Sequence, residues 1–158
     1  MVESAQQNGF RKADPLLNAG DGEDTIDEVY SRVYMSTFVP AESSDLLSKC
    51  GITHILSVMP HMTDKFAKSH GVKYLLLSKI QDNDQQNVLQ YFPEGIAFIK
   101  QALAEHEHNR VLVHCAAGRS RSGAFCCAYM IQECGMTLKE AIAYGQKRRE
   151  KFMPNLNF

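Results

Sequence analysis

The segment at residues 110–123, RVLVHCAAGRSRSG, is the part of the sequence that most restricts the fold. It begins with VLV, a short apolar run typical of a buried strand, and His114 and Cys115 follow directly. After Arg121 and Ser122 the apolar residues recur with the spacing of a helix. The fold must therefore place a strand, a short loop with one cysteine and a helix start in direct succession.

This arrangement favours a reactive cysteine. Cys115 is placed where the backbone N–H groups of the loop and the positive end of the helix dipole converge. Both attract anions and stabilise the thiolate, which is the nucleophilic form of cysteine. Arg121 follows in the same loop, and its planar guanidinium can bind two oxygens of one phosphate. Together these features predict phosphoryl transfer through a cysteinyl-phosphate.

The catalytic interpretation depends on the complete string. A cysteine after a strand is more often a small buried apolar residue, and a Cys–Arg pair at this spacing occurs by chance in many chains. Here His114 precedes the cysteine, Gly118 lies at the centre of the loop and Ser122 follows the arginine. Because strand and helix patterns also flank the string on the two sides, we favour the catalytic role.

Length and composition restrict the class of protein. The chain has 158 residues, of which 44% are apolar and 22% charged, as is ordinary for one globular domain. Its formal net charge is −1, so we expect no broad surface for nucleic acids. We also expect no membrane span and no signal peptide. The five cysteines lack zinc-type spacing and are expected to be reduced thiols, which favours the cytoplasm or the nucleus.

Hydrophobic patterning predicts one α/β domain after a polar tail. Residues 1–24 show no hydrophobic period and are predicted to be disordered, and the domain spans residues 25–158. The predicted strands are 26–30, 32–35, 52–58, 72–77 and 110–114. The predicted helices are 41–50, a turn at 65–70, about 89–103, the segment between the loop and Gly135, and 137 to about 152. Alternating strands and helices predict a largely parallel sheet covered on both faces.

Local signals mark several helix ends. Gly51 and Gly135 are predicted to stop the helices that precede them. Thr137 and Glu140 have the spacing of a capping box and open the last helix. The run from Lys147 to Arg149 could form a docking patch, but we favour its interpretation as cations at the end of that helix, where they complement its dipole.

The loop closely resembles the signature loop of cysteine-dependent protein phosphatases, in the form used by their dual-specificity branch. Three other segments look like core segments of that family: GITHILSV at 51–58, YFPEGIAFI at 91–99 and PNLNF at 154–158. No amino-terminal docking domain for mitogen-activated kinases is recognisable, so the chain resembles the small, atypical members. The resemblance implies a single α/β domain with a central mixed, largely parallel sheet, helices on both faces and the loop at its carboxyl edge.

The resemblance also implies residue roles. Cys115 would be the nucleophile, Arg121 would bind phosphate and stabilise the transition state, and Ser122 would hydrogen-bond the sulfur and ease its departure. His114 would orient the loop through hydrogen bonds rather than act as a base. The backbone amides that would bind the phosphoryl oxygens belong to Ala116, Ala117, Gly118, Arg119, Ser120 and Arg121. No metal or other cofactor is implied.

The reaction also needs an acid that protonates the leaving oxygen. The polar segment 78–90 precedes a helix and contains two candidates, Asp82 and Asp84. In the family the acid lies a fixed short distance before an aromatic pair at a helix start. Here that pair is Tyr91-Phe92, and the spacing favours Asp82, which would later act as the base for water. Because family members differ in the length of this loop, Asp84 stays the alternative.

Two positions of the loop bear on the substrate. Position 119 is Arg, whereas many members that act on proteins carry an apolar residue there. In this respect the chain is similar to relatives that act on phosphoinositides. Those relatives usually have Lys directly after the cysteine, where this chain has Ala116. We therefore expect phosphorylated proteins as partners, with phosphotyrosine and phosphothreonine or phosphoserine as substrates. The alternatives are a phosphatase of phosphoinositides or other non-protein esters, and a pseudophosphatase that binds phosphorylated groups without hydrolysing them.

Overall fold

A computed structural model describes residues 25–60, 71–80 and 88–154 of the chain. The predicted tail, the predicted turn at 65–70, both candidate acids and residues 155–158 lie outside the described residues. The strands are β1 (Asp27–Tyr30), β2 (Val33–Ser36), β3 (His54–Ser57), β4 (Lys73–Leu76) and β5 (Val111–His114). The helices are α1 (Phe38–Ala41), α2 (Ser44–Cys50), α3 (Phe92–Glu105, after a 3-10 turn at Leu89–Tyr91), α4 (Arg121–Cys134) and α5 (Leu138–Arg148). No helix in these ranges has both the length and the apolar character needed to cross a bilayer.

The five strands form one mixed sheet in the order β1-β2-β5-β3-β4. Only β1 runs antiparallel to its neighbour, and the other pairings are parallel. β5 lies in the centre, and its last residue, His114, is level with Ser36 of β2 and Ser57 of β3. The carboxyl ends of the three central strands therefore meet at one edge, directly before Cys115. The predicted α/β class with a mixed, largely parallel sheet is confirmed.

Helices cover both faces of this sheet, because successive side chains of a strand point to opposite sides. On β5, Val111 and Val113 belong to one buried cluster and Leu112 to another. The first cluster is built with residues of α3, α4 and α5, and the second with Leu47 and Cys50 of α2. A strand that is buried on both sides is a rigid support for whatever follows it.

The turn between β1 and β2 also anchors a helix. Arg32 has a positive φ of 62° there, and its guanidinium donates to the Leu103 oxygen at 3.1 Å, the His106 oxygen at 3.0 Å and the Asn109 oxygen at 3.3 Å. These carbonyls lie at and just beyond the end of α3, where backbone acceptors lack partners within the helix. Arg32 is thus a structural arginine at the amino edge of the sheet.

The predicted helix at 41–50 is two helices in the structure. Thr37 caps α1, and Ser43 caps α2 by accepting from the Leu46 amide at 3.3 Å. The predicted start at residue 41 was wrong because Ser43 takes the extended conformation of an N-cap and interrupts the run. The predicted stop at Gly51 is confirmed by its left-handed conformation, with φ 65°.

The last helix begins as predicted and ends early. Thr137 and Glu140 form the capping box, with reciprocal hydrogen bonds of 3.1 and 3.2 Å. The helix stops at Arg148 rather than near residue 152, because the chain turns and buries Phe152 against Gly145. The Phe152 amide donates to the Arg149 oxygen at 2.9 Å and closes this turn.

We expect Gly145→Ala to destabilise the fold, although Ala is the better helix former. A Cβ at this position would lie 2.6 Å from the Phe152 ring, so the ring would have to move. Overpacking of this kind outweighs the helix propensity of Ala and leaves a net loss of about 1–2 kcal/mol. Urea unfolding measures the loss, with Gln146→Ala at the next, exposed position as the control. A higher unfolding midpoint for Gly145→Ala would show that Phe152 does not pack there.

Candidate active site

Cys115 follows β5 at the carboxyl edge of the sheet and is only 2% exposed. The strand end is fixed from the side, since the Val58 amide donates to the His114 oxygen at 2.9 Å. Residues 116–120 form the loop, and α4 begins at Arg121. The sulfur therefore lies at the floor of a loop that closes on a helix start, where an anion is stabilised by backbone N–H groups and the helix dipole.

The loop is held from outside through its carbonyl oxygens. Its donors are the Phe38 amide to the Ala116 oxygen (3.4 Å), Arg149 Nε to the Gly118 oxygen (2.9 Å) and the Met153 amide to the Arg119 oxygen (3.3 Å). None of the described peptide bonds is cis, and in a trans peptide the N–H points away from the C=O. The amides that follow these three carbonyls therefore point to the inner side of the loop.

Two of these three inner amides, those of Ala117 and Arg119, are available to a ligand. Outside helices and strands, the amides of residues 116–119 donate to no backbone carbonyl of the described residues. Backbone N–H groups that converge in this way form an anion-binding concavity. The arrangement matches the predicted role of the loop amides, and their contact with a phosphoryl group stays a prediction.

Gly118 is required by the geometry of the loop. Its φ is +61°, a conformation that L side chains rarely adopt. A Cβ at this position would lie 2.7 Å from the backbone carbonyl of Ser36 and 2.5 Å from Arg149 Nη2. Only glycine lets the loop pack this closely against the end of β2.

Ser122 lies directly beside the sulfur. Its Oγ is 3.1 Å from Cys115 Sγ, and the Ser122 side chain is buried in the first turn of α4. When the cysteine is a thiolate, the hydroxyl is the donor in this contact, because a thiolate has no proton to give. The position suits the predicted assistance to the departing sulfur, which stays a prediction.

Arg121 connects the loop to a second segment. Its side chain is buried, and Nη1 donates to the Ile80 oxygen at 3.3 Å. Ile80 is itself buried and lies two residues before Asp82 in the sequence. Asp82 and Asp84 lie outside the described residues, so the assignment of the acid stays a prediction.

His114 lies buried at the end of β5, and its role in orienting the loop through hydrogen bonds stays a prediction. The ring is fully buried, and neither ring nitrogen has a hydrogen-bond partner within the part of the chain that the structure describes. The pKa of His114 is lowered to about 4, chiefly by burial; an interaction with the Cys115 backbone opposes this shift, and the smaller effect of the Arg121 charge adds to it. His114 is therefore neutral near pH 7, and its main-chain oxygen accepts the hydrogen bond from Val58 that fixes the end of the strand.

Arg149 is a residue that the sequence does not connect with the loop. It lies at the end of the last helix, as predicted, but it is 3% exposed and bonded to the loop. Desolvating a charge is costly unless it is paired, and Arg149 forms an ion pair with Asp27 of β1. One signal could have revealed it: the small residues Ala141 and Gly145 mark the buried face of α5, and four residues further along that face is Arg149.

A cavity of about 250 Å³ opens beside the loop. It is lined by Thr37, Phe38, Val39, Ala116, Ala117, Arg119 and Lys151, which combine two cations with exposed apolar groups. A wider cavity of about 540 Å³ lies at the amino edge of the sheet, around Arg32 and Arg110, and contains no residue of the loop. No group of three or more metal-binding side chains occurs within residues 25–60, 71–80 and 88–154.

Comparison with known proteins identifies the family of this chain. Residues 33–158 match the family described as dual specificity phosphatase, catalytic domain. Human dual specificity protein phosphatase 9 is 33% identical over 131 residues, which cover 83% of this chain and 33% of that protein. Mouse serine/threonine/tyrosine-interacting protein is 36% identical over 138 residues, which cover 84% of this chain and 60% of that protein.

Solved structures show the same fold. The crystal structure of the human tyrosine phosphatase-like serine/threonine/tyrosine-interacting protein superposes with a TM-score of 0.74 at 32% identity, over 84% of this chain and 89% of that one. The Yvh1 phosphatase domain from Chaetomium thermophilum gives a TM-score of 0.73 at 25% identity, over 84% and 90% of the two chains.

Fold and loop together place the chain in the class of domains that share the fold of the dual specificity phosphatases. Within that class, the chain belongs to the dual specificity phosphatase catalytic-domain family. It spans about a third of the length of human dual specificity protein phosphatases 9 and 7, at 33% and 30%.

The buried neutral His114 predicts a loss of stability in acid. Its folded pKa of about 4 lies below the ordinary value of 6.5, so the unfolded chain takes up a proton first as the pH falls. The stability that the neutral ring contributes is fully present above pH 6.5 and is lost towards pH 4. Between pH 7 and pH 5 the free energy of unfolding falls by about 2 kcal/mol. His54 acts in the same direction, since burial also lowers its pKa.

Urea unfolding at pH 7 and pH 5 measures this effect. His114→Gln should reduce the difference between the two pH values, whereas His108→Gln, at a side chain that is 80% exposed, should leave it unchanged. An unchanged difference in His114→Gln would mean that the buried ring does not control the acid sensitivity.

Proposed function

We propose that this chain is a protein phosphatase that hydrolyses phosphotyrosine and phosphoserine or phosphothreonine esters through a cysteinyl-phosphate. The observation that carries the proposal is the position of Cys115. Its sulfur lies 3.1 Å from Ser122 Oγ, at the floor of a loop whose carbonyls are bound from outside. That arrangement supports a thiolate and a bound phosphoryl group in one place.

In the first step, the Cys115 thiolate attacks phosphorus, a sulfur–phosphorus bond forms and the ester oxygen leaves. The amides on the inner side of the loop and the Arg121 guanidinium hold the phosphoryl oxygens while charge redistributes among them. The leaving oxygen takes a proton from Asp82, so that an alcohol rather than an alkoxide departs. The Ile80–Arg121 contact supports this assignment, since it ties the residue two positions before Asp82 to the first residue of α4.

In the second step, water attacks the phosphorus of the cysteinyl-phosphate. Asp82, now a carboxylate, accepts a proton from the water, and the sulfur leaves as a thiolate. The Ser122 hydroxyl donates to the departing sulfur and stabilises its negative charge. Inorganic phosphate is released and the resting site is restored.

The surroundings of the loop support a peptide as the group that carries the phosphate. Phe38 and Val39, 41% and 47% exposed, line the adjacent cavity and offer apolar contacts to side chains next to the phosphorylated residue. The similarity to human dual specificity protein phosphatases 9 and 7 supports protein substrates as well. Arg119 at the same rim is the feature that favours phosphoinositides or other non-protein esters as the alternative.

A second candidate is a domain that binds phosphorylated groups without hydrolysing them. The similarity to the human tyrosine phosphatase-like serine/threonine/tyrosine-interacting protein favours this candidate. Catalytically inactive relatives usually lack the cysteine, whereas this chain retains Cys115 and Arg121. We therefore place hydrolysis first.

We also propose a reducing compartment, the cytoplasm or the nucleus, as the place of action. All five cysteines lie within the described residues and none forms a disulfide. Thiols in this state suit a compartment in which glutathione keeps them reduced.

Turnover of an aryl phosphate tests the proposal. The purified wild type should hydrolyse it in the presence of a chelator, and vanadate should inhibit the reaction by occupying the phosphoryl site. Cys115→Ser should lower kcat by about 1000-fold or more, because its hydroxyl is a much weaker nucleophile, and should still bind phosphate. Cys134→Ser, at the far end of α4, is the matched control and should keep wild-type turnover. No turnover by the wild type, with tight binding of phosphopeptides, would favour the second candidate.

The identity of the acid is tested by varying the leaving group. Asp82→Ala should lower kcat by about 100-fold for an alkyl phosphate and only slightly for an aryl phosphate whose phenol has a low pKa. Asp84→Ala, two residues away, is the matched control and should have little effect on either substrate. The reverse result would assign the acid to Asp84.

A further inference from the structure

The strongest unexplained feature outside the reacting groups is the buried side chain of Arg149. It projects from the end of α5 into the space behind the loop, and its side chain is 2% exposed. Nε donates to the Gly118 oxygen at 2.9 Å, and Nη1 pairs with Asp27. Nη2 is buried and has no hydrogen-bond partner within the described ranges. One arginine thus connects α5, β1 and the centre of the loop.

We propose that Arg149 and Asp27 form a positioning pair that holds the loop in its phosphate-binding conformation. The pair acts on the loop through the peptide between Gly118 and Arg119. Because that peptide is trans, binding the Gly118 oxygen from behind turns the Arg119 amide to the inner side of the loop. A peptide free to rotate would give this amide no fixed direction.

The contacts of Arg149 explain why an arginine is suited to hold the loop. Its fork reaches two acceptors in one plane, the Gly118 oxygen and the Asp27 carboxylate, which a single ammonium group does not match. Thr25 Oγ1 donates to the same carboxylate oxygen at 3.2 Å and fixes its orientation. The backbone of Arg149 is fixed as well, since its amide donates to the Gly145 oxygen and its oxygen accepts from Phe152, both at 2.9 Å.

The test combines a binding readout with a kinetic one. Calorimetry with inorganic phosphate gives a Kd for the loop that does not depend on turnover. Aryl phosphate hydrolysis gives kcat and KM, and this part rests on the proposed function. The variants are Arg149→Met, Arg149→Lys and Asp27→Asn. The control is Arg32→Met, which removes another structural arginine whose three hydrogen bonds lie at the opposite edge of the sheet.

Loss of a hydrogen bond from a charged donor corresponds to roughly tenfold to hundredfold in an equilibrium or rate constant. We therefore expect Arg149→Met to raise the phosphate Kd and lower kcat by about that factor, with a smaller change in KM. Arg149→Lys should keep part of the phosphate affinity and part of kcat. Asp27→Asn should weaken phosphate binding several-fold. Arg32→Met should unfold at a lower temperature and keep the wild-type Kd.

Several results would overturn the proposal. One such result is a folded Arg149→Met variant with the phosphate Kd and kcat of the wild type. Another is an Arg32→Met variant that loses as much phosphate affinity as Arg149→Met does. Should Arg149→Met fail to fold, wild-type Kd values in both Arg149→Lys and Asp27→Asn would overturn it instead. A wild type that binds phosphate without turnover contradicts the proposed hydrolysis alone, and the Kd series still decides the role of Arg149. A wild type that binds no phosphate would contradict both.

Discussion

The site depends on the orientation of a few peptide groups. A loop can present its amides to an anion only if its carbonyls point elsewhere and find donors there, because each peptide carries both groups on opposite sides. Three carbonyls of this loop are bound from outside by Phe38, Arg149 and Met153. The donors come from the segment after β2 and from the turn after α5. The inward direction of the loop amides is thus produced by the contacts on the outer face of the loop.

This dependence explains how the fold supports the chemistry. β5 is buried on both sides and delivers Cys115 to an edge where β2 and β3 end at the same level. The first turn of α4 places Ser122 beside the sulfur. The packing of Phe152 on Gly145 closes the turn from which Arg149 and Met153 reach the loop. Interactions that stabilise the domain and interactions that aim the loop amides are therefore largely the same.

Features set by neighbouring residues could be predicted from the sequence, and features set by distant pairs could not. The strand–cysteine–helix succession, the capping box at Thr137 and the glycine stop at Gly51 each depend on a few consecutive residues. The burial of Arg149 depends on Asp27, 122 positions away, and on Gly118, 31 positions away. The sequence pattern also predicts a last helix that continues to about residue 152, because nothing local to Phe152 shows that its ring turns back onto Gly145.

The Asp27–Arg149 pair is poorly explained by stability alone. Removing two charges from water costs several kcal/mol per ion, and a buried pair is often replaced by apolar residues of similar volume without loss of stability. An apolar side chain at position 149 would fill the space behind the loop but could not donate to the Gly118 oxygen. The carbonyl would then lack this partner, and the peptide that carries the Arg119 amide could rotate. A buried arginine at this place is therefore better explained by the geometry of the loop than by the energy of the fold.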